Sequence, residues 1–295
     1  MRSCVDRRRV PIGLKLGYIT VCQQVLKALD VGSDDAPLTT EYGTLIAGGA
    51  AGSSLGSVLR YRGVFEPVLS EFILRHVREG DVCVDAGANV GYFTLLLASA
   101  AGRGGKVVAI EAAPGNVRRL RENLGINEVS DRVRVVEAAC AAEAGELTFY
   151  LHPGNDMWAR LTPPAKGELD RLYMGRTWRP VVVQAGTLTQ LVGDDAARTS
   201  FLKLDIEGAE PMVTPDIVEH FTHPRLVVAL EAKAPHVAET LRPFRDAGFH
   251  AYDLHNDYRW VVERAVPRIT AASYDDFTSR KMADVLVSRE PLDLR

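Results

Sequence analysis

Apolar runs of two kinds alternate along most of the chain. Short runs rich in β-branched residues fall at 82–85, 106–111, 133–137, 200–205 and 225–231, and stripes of helical spacing fall at 91–101, 114–125 and 210–221. Strand, helix, strand in repetition predicts a parallel sheet with helices on both faces, whose ligands bind at the carboxyl ends of the strands. Upstream, Val68, Leu69, Phe72, Ile73 and Val77 give one more helical stripe within 64–78. Before it, residues 1–60 read as an accessory segment: an amphipathic helix at 13–29, a polar loop, and a Gly-Ala-Ser tract at 48–56, better suited to a linker than to a lid. The remainder, 61–295, reads as one domain with an insertion at 145–196. Two strand-like runs, ELTFYL and VVVQA, bracket an irregular stretch there, and its His152, Asn155, Trp158 and Arg160 are candidates to line a pocket. The C-terminal alternation in HAYDLHND, YRWVVERA and ADVLVSR predicts antiparallel strands that close the sheet edge.

Composition narrows the class. At 295 residues and 46% hydrophobic content the chain buries one large core, or a core with a small cap. A net charge of −3, with no basic tract longer than Arg7 to Arg9, makes nucleic acid an unlikely partner. No run reaches the roughly 18 apolar residues of a membrane span, and the N-terminus lacks an uninterrupted apolar signal core, so the expectation is a cytoplasmic protein. Cys4, Cys22, Cys83 and Cys140 form no Cys-x-x-Cys pair, which leaves no zinc or disulfide framework, and Cys83 and Cys140 read as small buried hydrophobes.

The chemistry concentrates in VCVDAGANVGYFTLLLA, 82–98. An apolar strand ends in an acid, a glycine turn follows, and a helix begins at once. Gly87 and Gly91 are spaced G-x-x-x-G rather than the G-x-G-x-x-G of a pyrophosphate-binding turn, and Asp85 would repel an anion. Asp85 suits an ammonium group, and Glu111, twenty residues past Gly91, suits two ribose hydroxyls. S-adenosylmethionine has both features, whereas a nicotinamide cofactor fits the spacing poorly.

Three blocks, VDAGANVGYFT at 84–94, YRGVFEP at 61–67 and LKLDIEGAE at 202–210, resemble the FkbM family of class I methyltransferases in kind and in order. The resemblance implies a Rossmann-like α/β fold, a mostly parallel sheet flanked by helices with an antiparallel C-terminal edge, and S-adenosylmethionine as cofactor. Gly87 and Gly91 then let the backbone approach the methionine and ribose, Asp85 and Asn89 face the methionine part, and Glu111 accepts from the ribose. Glu137 with Ala138 falls where related enzymes contact adenine. Glu66 is either a lid residue near the cofactor or an acid at a helix start, and Tyr61 shares that choice.

Asp205 ends the fourth strand beside the expected methyl position, and so it is both a cofactor neighbour and the first candidate base for a hydroxyl acceptor. His255 is the alternative base, ahead of His152. Lys203 points away from the Leu202 and Leu204 face and reads as structural or ion-paired. Asp205 lacks evident partners for a metal, so none is expected. The reading is a methyltransferase acting on a hydroxyl of a small molecule, a sugar, polyketide or other specialised metabolite, as a tailoring step in a biosynthetic pathway. N-methylation of an amine and a catalytically silent cofactor-binding homologue stay open, as does a homodimer.

Overall fold

A computed structural model describes residues 37–47, 54–151, 159–160, 179–206, 208–256 and 268–294. The helix expected at 13–29, Cys4, Cys22, His152, Asn155, Trp158, Glu207 and all of YRWVVERA lie outside the described residues, as do the side chains of Tyr61 and Arg160.

The described residues open with a short hairpin, β1 (Leu38–Thr39) and β2 (Leu45–Ile46), then α1 (Ser54–Arg62) and α2 (Pro67–His76). There follow β3 (Val82–Ala86), α3 (Tyr92–Ala101), β4 (Lys106–Glu111), α4 (Pro114–Ile126) and β5 (Val133–Glu137). A second group comprises β6 (Ala139–Cys140), β7 (Gly145–Leu151), β8 (Ala159–Arg160) and β9 (Arg179–Gly186). The chain returns through α5 (Leu188–Val192), β10 (Thr199–Leu204), α6 (Glu210–His220), β11 (Val227–Lys233) and α7 (Val237–Asp246). It ends with β12 (His250–Leu254), β13 (Ile269–Ala272), α8 (Asp275–Thr278) and β14 (Met282–Ser288).

The main sheet has eight strands in the order β13-β12-β14-β11-β10-β3-β4-β5. Pairings from β11 across to β5 are parallel, and β14 lies antiparallel to both β11 and β12. This is the expected Rossmann-like class I methyltransferase arrangement with an antiparallel C-terminal edge. The order reverses between β3 and β10, since β4 and β5 build to one side and β10 and β11 to the other, which opens a crevice at the carboxyl ends of those two strands.

Burial follows from the two-residue period of a strand. Cys83, Val107, Ala109, Phe201 and Val227 face α2, α3 and α4, whereas Val84, Val108, Leu202, Leu204 and Val228 face α5, α6 and α7. Every residue of β3 and of β10 is buried, as sheets covered on both faces require. Truncating a core residue such as the fully buried Leu96 to Ala would cost about 2–5 kcal/mol. Cys83 and Cys140 are buried free thiols.

Strand limits differ from the periodicity by one or two residues at β3, β10 and β11. β10 ends at Leu204, one residue before Asp205, whose N–H still donates to the Ala86 carbonyl at 3.0 Å. β11 runs past Glu231 to Lys233 because its pairing with β14 continues through Lys233 opposite Met282. Before the core, α1 crosses residue 60 and buries Leu55 and Leu59 beside Ile46. Within 145–196, β7 and β9 form an antiparallel pair in a separate four-stranded sheet ordered β6-β9-β7-β8. Residues 187–196 return to the main core with Leu188, Val192 and Ala196. No helix among the described residues is long and apolar enough to cross a membrane.

Candidate active site

The turn after β3 is built by conformations that few residues adopt. Gly87 and Gly91 have φ of 83° and 94°, and Asn89, between them, reaches 52°. A Cβ on Gly87 would stand 1.8 Å from the Asp205 carbonyl oxygen, and one on Gly91 2.5 Å from Leu120 Cδ1. Both glycines therefore serve close approach as well as the turn itself. The Gly87 and Ala88 amides donate to the Ile110 carbonyl at 2.9 Å, which draws the turn toward the end of β4.

There Glu111 acts as a clasp. Its Oε2 accepts from the Asn89 amide and its Oε1 from the Ala113 amide, both at 2.8 Å, so the carboxylate joins the β3 turn to the start of α4. Burial pushes the Glu111 carboxyl above its usual value, and the two amides together with the Asn116 side chain oppose this. Asp85 is fully buried. Its Oδ2 accepts from Thr94 Oγ1 at 2.6 Å, and its Oδ1 has no hydrogen-bond partner. Burial raises Asp85 as well, against the opposing Lys203 charge and the Thr94 hydrogen bond.

Within β10, Lys203 is buried between Leu202 and Leu204. Its Nζ lies 3.1 Å from Asp205 Oδ2 and 5.0 Å from the Phe93 ring centroid, an ion pair backed by a cation–π contact. Burial alone would lower Lys203, but Asp205, Asp85 and Glu66 hold it protonated. Burial would likewise raise Asp205, and the Lys203 ammonium more than reverses that, so Asp205 sits below the usual carboxylate range. Glu210, buried at the start of α6, accepts from the Ile206 and Gly208 amides at 3.0 and 2.9 Å and closes the loop after Asp205.

The YRGVFEP segment covers this end of the sheet. The Phe65 amide donates to Tyr92 Oη at 3.2 Å, Ser70 Oγ donates to the Phe65 carbonyl at 2.7 Å, and the Phe65 ring meets Tyr92 edge-on at 6.1 Å. Glu66 follows in a left-handed conformation.

These parts enclose an open cleft of roughly 930 Å³, counting the space at its mouth. The turn residues Gly87 to Asn89, Glu111, Ala138, Lys203 and Asp205 line it, together with Phe65 and Phe149. A second, smaller and solvent-open recess shares Lys203 and Asp205 with the first and adds Glu66, Glu231, Asp284 and Asn256 over an apolar floor that includes Leu204 and Leu254.

The structure brings Gly87, Asn89, Glu111, Ala138 and Asp205 to one cleft, with Gly91 shaping its turn and Asp85 buried behind it. Glu66 lines the second cavity. Glu137 points elsewhere: its carboxylate is exposed and reaches Arg121 at 3.5 Å. His255 lines neither cavity and sits half-exposed, 3.4 Å from Asp253. Sequence reasoning missed Phe149, Asn116, Asp284 and Asn256. An acid inside the apolar alternation of β14 was the available signal for Asp284; Phe149 comes from the second sheet and carried none. Among the described residues no group of three or more His, Cys, Asp or Glu side chains is arranged to hold a metal ion.

A cationic ligand fits these groups. The orphaned, fully buried Asp85 oxygen and the Glu111 and Asp205 carboxylates suit a ligand bearing an ammonium and a sulfonium, and the clasped Glu111 suits vicinal hydroxyls.

The family model described as the methyltransferase FkbM domain matches residues 85–249, more than half of the chain. No curated protein matches. Solved structures similar to the chain include precorrin-6y C5,15-methyltransferase from Geobacter metallireducens, at 12% identity over 75% of this chain and 84% of the other, TM-score 0.40. Another is a SAM dependent methyltransferase from Aquifex aeolicus, at 14% identity over 75% and 87%, TM-score 0.38. A third is Aeropyrum pernix fibrillarin with natively bound S-adenosyl-L-methionine, at 13% identity over 74% and 73%, TM-score 0.41.

Proposed function

The chain belongs to the methyltransferase FkbM family, S-adenosylmethionine-dependent enzymes, and from that premise we propose that its acceptor is a small polar molecule methylated on a hydroxyl oxygen. One observation carries the reading: the second cavity, joined to the cofactor cleft through Lys203 and Asp205, is walled by groups that accept hydrogen bonds from hydroxyls.

S-adenosylmethionine supplies an electrophilic methyl group on a positively charged sulfur. Glu111 would take the ribose hydroxyls, Asp85 the ammonium, directly or through water, and the Gly87 to Asn89 backbone would flank the methionine part. Ala138 would border the adenine. Lys203 and Asp205 stand at the junction of the two cavities, where an acceptor atom must be aligned. The protein's task is then mainly to hold two reactants in line and keep water out, to which Phe65, Tyr92 and Phe93 contribute an apolar cover. The net charge of −3 supports a small acceptor over nucleic acid.

N-methylation is the second reading, favoured by one specific feature: the second cavity has carboxylates and no histidine among its described lining residues. Incubation with radiolabelled S-adenosylmethionine and matched panels of sugars, phenols, amino sugars, alkylamines and total RNA separates the readings. Label in acid-stable ethers of the hydroxylated compounds is expected. Label confined to amines would replace the first reading with the second, and label in RNA would overturn both.

A further inference from the structure

Glu66 is an unusual helix-start acid. Its backbone is left-handed, at φ 39° and ψ 70°, and its side chain makes no cap hydrogen bond to α2. A non-glycine residue stays in that region only where its surroundings hold it. Pro67 fixes the first turn of the helix, the Ser70 amide donates to the Glu66 carbonyl at 2.9 Å, and Phe65 is tied to Tyr92 and Ser70. The strained conformation directs the carboxylate into the second cavity instead of onto the helix end. Facing it are Lys203 on β10 and Asp205 just after it, Glu231 with its partner Lys233 on β11, Asp284 on β14, and Asn256, which donates to Asp284 at 3.2 Å.

Asp205 is poorly placed to accept a proton, because its Oδ2 is engaged by Lys203. We propose that Glu66, and not Asp205, takes the proton of the acceptor hydroxyl, while the Lys203–Asp205 pair orients that hydroxyl. The assignment rests on the hydroxyl-acceptor reading above. As the acceptor oxygen bonds to the methyl carbon, the carbon–sulfur bond breaks with its electron pair left on sulfur, and the hydroxyl proton passes to Glu66 and on to solvent. Burial, reinforced by Asp205, Asp284 and Glu231 and opposed by Lys203, brings the Glu66 carboxyl up to about 8, a basicity suited to proton transfer near neutrality.

The test needs no acceptor in its first part. S-adenosylmethionine and S-adenosylhomocysteine differ by the methyl and the fixed sulfonium charge, so the ratio of their affinities, followed by calorimetry between about pH 6 and about pH 9, reads the ionisation of carboxylates beside the sulfur. In the wild type this ratio is expected to shift about tenfold toward S-adenosylmethionine as pH rises. Glu66→Gln should flatten the shift and leave S-adenosylhomocysteine affinity unchanged, Glu66→Asp should restore part of it, and Asp205→Asn should retain it. A shift that survives Glu66→Gln, or one that Asp205→Asn abolishes, would sink the assignment, as would weakened S-adenosylhomocysteine binding in Glu66→Gln. Should Glu66→Gln not fold, the wild type against Asp205→Asn decides by the same criterion. In the second part, on a hydroxylated compound labelled as above, Glu66→Gln is expected to lower kcat about 100-fold and to remove its rise through pH 8. Failure of the wild type to bind either ligand, or label in amines alone, is the distinct failure of the underlying reading.

Discussion

Glu111 joins two parts of the fold at the cleft where the proposed function puts the ribose. Its two oxygens accept the Asn89 and Ala113 amides, so removing it strands two donors at the cleft. Glu111→Ala is expected to destabilise the protein by about 1–3 kcal/mol in urea unfolding and to weaken cofactor binding. Glu111→Gln, which keeps an acceptor oxygen, should lose less stability than affinity. Gly87→Ala is the sharper test of the turn: with its Cβ 1.8 Å from the Asp205 carbonyl, the β3 turn and the β10 end cannot both keep their places. Its expected outcome is loss of calorimetric cofactor binding together with a lower denaturation midpoint. Asp85, Gly87, Asn89, Gly91 and Glu111 were legible because a strand-to-helix bend needs particular residue types at fixed offsets. Lys203 was legible only as a residue off the Leu202 and Leu204 face. Its partner is set by how the chain turns at Asp205, which no spacing rule conveys. Glu137 shows the opposite limit, since its position at the end of β5 was right and its side chain still turns to Arg121 in solvent.

Elements were legible where both faces are buried, since β3, β4 and β10 announce themselves as apolar runs. Their ends were less so. β11 continues past Glu231 because β14 pairs with it, a long-range cause invisible in a local window. The hairpin β1–β2 left no usable pattern either, being two residues per strand. It is held by side chains at the end of α4 and just after it: Asn127 Oδ1 accepts the Leu45 amide at 2.8 Å, Asn123 Oδ1 accepts the Ala47 amide at 2.6 Å, and Asn123 Nδ2 donates to the Val90 carbonyl. Asn123 thereby links the N-terminal segment to the cofactor turn. Asn123→Ala is expected to speed hydrogen exchange at the Ala47 amide by at least tenfold and to weaken cofactor binding modestly; exchange confined to its original rate would show that the hairpin is held by packing alone.

Over the whole molecule, the chain reversal between β3 and β10 gathers acidic groups at one end of the sheet. Glu111 lines the first cleft with Asp85 buried behind it, Glu66, Glu231 and Asp284 line the second, and Asp205 lines both. A ligand that binds only the folded chain stabilises it in proportion to its excess, so S-adenosylmethionine at a hundredfold excess over its Kd should add about 2.7 kcal/mol, read as a rise in Tm. The same experiment on Glu111→Ala at equal concentration should give a smaller rise. The crevice was legible from the alternation of strands and helices; the second sheet was legible only as two strands, because its partners β6 and β8 are two residues each. That sheet hangs from the main one by a narrow neck. Cys140 pairs with Gly186, and Gly145 lies opposite Ala185, so the excursion leaves and rejoins the chain at adjacent points beside Ala138. A segment with neighbouring ends is a natural cassette. Residues 145–185 therefore leave the chain and return to it at one place, and exchanging that stretch with a relative's is expected to leave S-adenosylmethionine affinity unchanged in calorimetry.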